Sequence, residues 1–225
     1  MKKNIILTIA LTAAAALTTV SCKIQHENYY SAYMTAVCEG SNDAISYLVT
    51  DDSIKVIPRN WPSILISLKQ DQRISAVYTV PDGESNPLSA EFYSVSILPQ
   101  DSIVLTSQPD TLGDDPIDIA GIWQSGGIYG AGRFLTVSFL IDDGGSKHTV
   151  TLAEDTALSS NPDADGYYHL VLKHNAFNDY PTHRINGILT FPLEEKYTAG
   201  IKGLKVTYLP IDSTSARTAT VPYAN

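Results

Sequence analysis

The sequence predicts an all-β protein, a small OB-like barrel followed by an antiparallel β-sandwich. Three observations lead there. Apolar and polar residues alternate with period two through most of the chain, and the i, i+3, i+4 spacing of an amphipathic helix is scarce. The alternating runs are rich in Val, Ile, Thr and Tyr, residues that suit a pleated, half-buried surface. The runs are short, closely spaced and separated by Pro, Gly, Asn and Asp, as in sandwiches and barrels.

The first 21 residues stand apart from this pattern. Lys2 and Lys3 are followed by an apolar run from Ile5 to Val20 that ends at Ser21-Cys22, the order of a secretory leader. The run is short for a membrane span, which needs about 18 to 20 apolar residues, and no basic stop-transfer cluster follows it. Thr19-Val20-Ser21-Cys22 resembles a bacterial lipobox, with Thr19 where Leu is commoner. Residues 1–21 are therefore expected to be a lipoprotein signal peptide and Cys22 the lipidated residue, carrying diacylglycerol and palmitate-type acyl chains. Two or three chains anchor stably, whereas one is marginal at about 0.8 kcal/mol per buried methylene. The expected location is the bacterial cell envelope, lipid-anchored to a membrane, with the outer membrane favoured. The near-absence of acidic residues after Cys22 (Glu27 alone) leaves periplasmic and surface faces open.

Residues 22–107 are expected to form the OB-like barrel. Strands are predicted at Tyr29–Glu39, Ile45–Thr50, Ile54–Ile57, Arg73–Val80 and Glu91–Leu98, with a short one at Ile103–Thr106. Asp51-Asp52-Ser53 and Pro81-Asp82-Gly83 are turns, the latter with Pro setting φ and Gly free to take the left-handed position. Ile64–Leu68 is apolar but too short to assign. Five or so tightly curled strands suit a small barrel. The polar, Pro- and Gly-containing stretch 108–116 reads as a linker. Residues 117–225 follow as the sandwich, with strands at Ile117–Trp123, Phe134–Ile141, Lys147–Leu152, Tyr167–His174, Ile185–Phe191 and Leu204–Leu209. Asp142-Asp143-Gly144-Gly145 is a strong hairpin signal.

Charge and composition narrow the function. The formal net charge is −9, and removal of Lys2 and Lys3 with the leader makes the acidic excess larger. Nucleic acid is not expected as a partner, because phosphate recognition needs a basic footprint. Cys38 is left as the only other cysteine and lies in an apolar strand beside Glu39, which suggests a buried, unreactive thiol. Thirteen Tyr against five Phe is a surplus of rings with a polar end. Tyr29, Tyr30, Tyr33, Tyr167, Tyr168 and Tyr180 are the ones that could line a platform for a partner.

Catalytic and metal signals are weak. Asn161, Asp163 and Asp165 followed by Gly166 match the first half of an EF-hand calcium loop, but Leu172 stands where the bidentate Glu belongs. His148, His169, His174 and His183 lie close in sequence, yet His169 and His174 have opposite parity on one strand and point to opposite faces. The pairs Asp51-Asp52, Asp114-Asp115 and Glu194-Glu195 are adjacent, and neighbours on a strand likewise diverge. The glycines from Gly126 to Gly132 precede a strand rather than a helix, so they are not a phosphate loop. No catalytic, cofactor-binding or metal-binding residue is expected.

Several segments carry a family resemblance. They are Ser46–Ser53, Gln72-Arg73-Ile74 leading into Val77–Val80, His148–Leu152, Asp165-Gly166-Tyr167, and Leu172-Lys173-His174-Asn175-Ala176 with Asn178-Asp179. In order and spacing the chain resembles the NigD-like lipoproteins of Bacteroidota, departing at Gly126–Gly132, where a shorter join is expected. The resemblance implies an OB-like N-terminal domain, a C-terminal β-sandwich and a bacteriocin-immunity-like or accessory role. No catalytic residue carries over from it. The expected function is thus non-enzymatic binding of a protein or peptide partner at the envelope. The alternative is an envelope glycan-active enzyme, with carboxylates about 5 to 9 Å apart meeting at the domain boundary. The lipid anchor has a direct consequence: Cys22→Ser should move the protein from the membrane pellet to the soluble fraction. Continued sedimentation with membranes would refute the acylation of Cys22.

Overall fold

The computed structural model describes residues 28–39, 44–81, 86–125 and 133–223. The signal peptide, Cys22 and Gly126–Gly132 lie outside the described residues. The barrel is made of β1 (Tyr30–Cys38), β2 (Ile45–Thr50), β3 (Lys55–Pro58), β4 (Arg73–Thr79) and β5 (Leu88–Ile97). These close in the order β1-β2-β3-β5-β4. All pairings are antiparallel except β3 with β5. This is the five-stranded, partly Greek-key arrangement of an OB-type barrel.

Alternation decides what fills it. Met34 and Ala36 on β1, and Ile74, Ala76 and Tyr78 on β4, face inward and are buried. The apolar stretch that was too short to assign is a single helical turn, α1 (Ser63–Ile66), which drives Leu65 and then Leu68 into the barrel as a plug. A turn this short has no helical stability of its own and forms because it buries apolar side chains.

The second unit is a sandwich. A five-stranded sheet runs β13-β12-β10-β9-β6, and a three-stranded sheet runs β11-β8-β7. Their members are β6 (Val104–Thr106), β7 (Asp118–Ser125), β8 (Phe134–Asp143), β9 (Thr149–Asp155), β10 (Tyr167–Asn175), β11 (His183–Pro192), β12 (Gly203–Tyr208) and β13 (Arg217–Pro222). Leu135, Val137, Leu152, Leu170, Phe191 and Leu204 form the heart of the core between the sheets. Most pairings are antiparallel, and β10 with β12 and β6 with β9 run parallel.

Four sequence expectations need correction. The strand at Val104–Thr106 was assigned to the barrel, but it pairs with β9 and so belongs to the sandwich. Residues 108–116 are no free linker. Pro109–Leu112 is a 3-10 turn, Lys173 bonds Asp110 at 2.6 Å, and the Asp115 amide donates to the His174 carbonyl at 3.0 Å. The segment is strapped along β10, and its polar composition serves those contacts. Asp142–Gly145 does not make a hairpin, because β8 pairs with β7 and β11 while β9 lies in the other sheet. The amides of Gly144 and Ser146 donate to Asp179 instead of across a two-strand turn. Finally, β13 was not expected. Among its residues only Val221 is buried, so an edge strand left little alternation to read.

One arginine joins the two units. Arg73 opens β4 on the outward face and is 0% exposed. Both Asp51 oxygens accept from its terminal nitrogens, Nη2 to Oδ2 at 2.8 Å and Nη1 to Oδ1. Nη1 also donates to Thr35 at 3.0 Å, and Nη2 to Thr136 of β8 at 3.2 Å. The guanidinium carbon lies 5.5 Å from the centre of the Phe134 ring. From the sandwich side, Trp123 Nε1 donates to Asp51 Oδ2 at 2.7 Å. A second seam forms where Thr190 of β11 bonds Pro99 and Asp101.

Within the sandwich, Glu154 accepts from Tyr168 Oη at 2.7 Å, Tyr197 Oη at 2.8 Å and Lys196 Nζ at 2.8 Å. Burial works to raise the Glu154 carboxyl, but the bonds from Lys196, Tyr168 and Tyr197 outweigh it and the net direction is downward.

Two stability changes are expected, both read by denaturant unfolding. Arg73→Ala strands Asp51 and should cost about 3–5 kcal/mol, as for a broken buried pair; a loss below about 1 kcal/mol would remove the pair from that role. Glu154→Ala leaves two buried phenols without their acceptor, at about 1–3 kcal/mol for an unsatisfied group. Because the Glu154 carboxyl is depressed in the fold, its contribution is present above the unfolded carboxylate pKa and fades as pH falls below that value.

Candidate functional site

Two places concentrate chemistry. The first is a groove of about 550 Å³ at the seam between barrel and sandwich, lined by Ser31, Tyr33, Thr50, Asp51, Asp52 and Trp123 among others. Residues of one parity on β1 and its lead-in face outward here. Tyr33 packs on Trp123 with ring centres 5.3 Å apart. Tyr29 meets Tyr93 of β5 edge-on at 5.1 Å. Tyr29 is 59% exposed and Tyr93 51%, so the rings form a row with open faces. Asp51 is taken by Arg73 and Trp123, whereas Asp52 is exposed at the rim.

Of the six tyrosines singled out from sequence, Tyr29 and Tyr33 share this side of the barrel, while Tyr30 has the opposite parity and stacks on the inward-facing Tyr78 at 5.7 Å. The last three lie elsewhere. Tyr168 is buried against Glu154, Tyr167 lies under Lys205, and Tyr180 is exposed on a distant loop. Sequence reading missed Tyr93 and Trp123. Both sit on expected strands, but only the barrel closure and the interdomain packing bring them beside β1.

The second place is a cluster of histidines and aspartates at one end of the sandwich. His174, the last inward-facing residue of β10, is buried, and its Nδ1 donates to the Pro116 carbonyl at 2.9 Å. Burial pushes the His174 imidazole below its usual value, against the opposing pull of its bond to Pro116. Its other nitrogen, Nε2, is 2.9 Å from His148 Nδ1. The far nitrogen of His148, Nε2, points between Asp179 Oδ2 at 3.0 Å and Asp143 Oδ1 at 3.2 Å. On the solvent side His183 Nε2 is 3.3 Å from the other oxygen of Asp143.

Local sequence explains how Asp179 arrives. Phe177 and Asn178 both adopt positive φ, turning the chain sharply after β10. The Phe177 amide donates to Asn175 Oδ1 at 2.9 Å and the Ala176 amide to Asp115 Oδ2 at 2.7 Å, which hold that turn. Gly144 makes room: a Cβ there would stand 2.0 Å from the Tyr180 carbonyl oxygen and 2.8 Å from Asp179 Oδ1. The bond from His148, then those from Ser146 and Gly144, hold the Asp179 carboxyl well below the usual carboxylate range.

The other residues flagged in the sequence are accounted for differently. In the Asn161–Gly166 loop, Asn161 bonds both backbone polar groups of His169. Asp163 accepts from the Tyr167 amide at 2.9 Å, His169 at 2.7 Å and Lys205 at 2.6 Å. Lys205 first, then His169 and the Tyr167 amide, hold the Asp163 carboxyl low. An ammonium already supplies the positive charge that a calcium ion would bring, and the loop oxygens are turned to local donors. His169 and His174 do face opposite ways, as parity demands. Cys38 is half-buried at the end of β1, not deep in the core. Asp114, Glu194 and Glu195 are exposed, and Asp115 holds the Ala176 amide. Among the residues lining the groove, the carboxylates are the sequence neighbours Asp51 and Asp52, so no spaced pair meets there.

With this geometry described, the chain can be set beside known proteins. No curated protein matches it by sequence. A Bacteroides vulgatus protein of unknown function shares its fold, with 23% identity over 88% of this chain and 92% of that one and a TM-score of 0.71. A NigD-like immunity protein from Bacteroides caccae superposes with a TM-score of 0.56, at 18% identity over 86% of this chain and 92% of that one. A lipoprotein candidate from Bacteroides fragilis gives a TM-score of 0.64 at 9% identity, over 88% of this chain and 99% of that one. These likenesses concern the fold. The pattern of the NigD-like C-terminal beta sandwich domain matches residues 100–223, starting at the Pro99–Asp101 seam and so including Val104–Thr106. The chain therefore belongs to the NigD-like family that this domain defines.

Proposed function

We propose that this protein is a lipid-anchored, non-enzymatic envelope protein that binds a protein or peptide partner through the aromatic groove at the domain seam, in an immunity-like role. The observation that carries the reading is two aromatic pairs on one side of the barrel, Tyr33 on Trp123 in the acidic-rimmed groove and the exposed Tyr29 on Tyr93. Exposed aromatic rings supply large, rigid contact area, and such rings dominate binding hot spots. The chain's net charge of −9 favours a cationic or apolar partner, as a bacteriocin-like peptide would be. The family membership and the immunity-protein neighbour support the role, and the lipoprotein candidate among the neighbours supports the anchor at Cys22. The anchor would hold the groove at the envelope, where an incoming peptide meets the cell. Outer-membrane attachment is part of this proposal.

The test is a protection assay with a capture step. Deleting the gene should sensitise the cell to a bacteriocin made by a related strain, and expression of the lipidated protein should restore resistance. Tyr29→Ala, Tyr33→Ala and Tyr93→Ala together leave the Arg73–Asp51 contact intact and should abolish both protection and co-purification of the toxin or its receptor. Unchanged susceptibility on deletion, with the detergent-solubilised protein recovered alone, would overturn the reading.

A further inference from the structure

The histidine–aspartate cluster plays no part in the groove and asks for its own explanation. A chain of contacts sets its geometry. A carbonyl accepts only, so His174 must carry its proton on Nδ1 to meet Pro116 at 2.9 Å. Its Nε2 then faces His148 Nδ1 at 2.9 Å, a contact in which one ring nitrogen donates and the other accepts. The far nitrogen of His148, Nε2, points between two carboxylate oxygens, so that either a proton or a metal ion held there would face both. One ring nitrogen and two carboxylate oxygens converge on a space where a positive charge belongs. The side chains of His148 and Asp179 are each 8% exposed, so water screens the arrangement poorly.

The spacing matches a metal. Tetrahedral ligands with bonds of about 2.0–2.1 Å lie about 3.3 Å from one another. Here Nε2 is 3.2 Å from Asp143 Oδ1 and 3.0 Å from Asp179 Oδ2, and all three donor atoms fall within 4.8 Å of one another. The outer shell is in place as well. His174 orients and polarises His148 from behind, as hydrogen-bonded partners of metal-bound histidines do. Asp143 accepts from the Gly145 amide at 3.2 Å, and Asp179 from the Gly144 amide at 2.5 Å.

We propose that Asp143 Oδ1, His148 Nε2 and Asp179 Oδ2 form a binding site for a divalent transition-metal ion of the zinc class, with His174 as its positioning residue. One imidazole with two carboxylates favours zinc or a similar ion over calcium or magnesium, which take oxygen ligands. Three protein ligands leave a fourth position for water or a group from a partner. The site joins the end of β8, the β8–β9 crossing and the loop after β10, so the ion staples the two sheets of the sandwich at one end. The resemblance segment His174-Asn175-Ala176 with Asn178-Asp179 is what builds it.

Full-length protein in detergent, stripped with EDTA, should take up one Zn²⁺ per chain by calorimetry and gain thermal stability from it. Co²⁺ in place of Zn²⁺ should give the visible absorption of a tetrahedral nitrogen–oxygen site. Asp143→Asn, Asp179→Asn and His148→Gln should each abolish stoichiometric uptake. His174→Gln should weaken it about 10- to 100-fold. His169→Gln and Asp163→Asn, which disrupt the other histidine–aspartate pair, should leave it unchanged. Unfolding curves in EDTA identify any variant that fails to fold, and the near-isosteric Asp143→Asn keeps the test decisive. No uptake by folded wild-type protein, or uptake unaffected by His148→Gln, would overturn the proposal. So would nitrogen chemical shifts showing His148 protonated on both nitrogens in excess Zn²⁺, because the two aspartates would then be serving an imidazolium.

Discussion

The structure depends on the need to neutralise a buried arginine. Arg73 leaves the barrel wall on its outward face, where a monomeric barrel would leave it in water. The sandwich covers it instead, and a fully buried guanidinium is tolerable only with a carboxylate and further acceptors around it. Asp51 provides the charge, Thr35 and Thr136 two further acceptors, and Phe134 the face, while the buried Nε has no hydrogen-bond partner. Trp123 then fastens the sandwich to the same carboxylate. Barrel and sandwich are held in one geometry because a shift between them would uncover the guanidinium, break its bond to Thr136 and take Trp123 off Asp51. The aromatic groove, with Tyr33 on one unit and Trp123 on the other, exists only while that geometry holds.

The same logic separates the two candidate sites. The groove is shallow, aromatic and open, qualities of a surface that receives another molecule. The cluster is small, polar and half-buried, and its members come from the end of β8, the β8–β9 crossing, the end of β10 and the loop after it. The proposed binding face and the proposed metal site thus sit at different places on one fold. In a domain without a disulfide framework, a staple across the sandwich would limit the parting of its two sheets.

Much of the fold was legible in the sequence because alternation is a local property. The strand expected at Ile45–Thr50 coincides with β2, and those at Arg73–Val80 and Tyr167–His174 differ from β4 and β10 by one residue at an end. The errors share a cause. Val104–Thr106 was placed by its neighbours in sequence, whereas its backbone partner is β9. Asp142–Gly145 has the composition of a hairpin, but composition states only that the chain can turn, and here it turns into the opposite sheet. β13 is an edge strand whose outward residues are polar, so burial left little mark on it. Parity correctly sent His169 and His174 to opposite faces. It could not foresee that His174 would meet His148 and, through it, one aspartate at the end of β8 and another in the loop after β10.

By itself the sequence determined the all-β class, the position of most strands, the acidic character and the lipobox-like leader. These follow from side-chain periodicity, charge count and short motifs, which act over a few residues. Only the tertiary structure decided which strands pair, where Arg73 finds its partners, which tyrosines share a surface, and that Asp143, His148 and Asp179 converge. Those outcomes depend on contacts between residues far apart in the chain, such as the 91 positions between Pro99 and Thr190. Such contacts are set by packing two sheets and a barrel at native density, a condition on the whole chain that no local stretch contains.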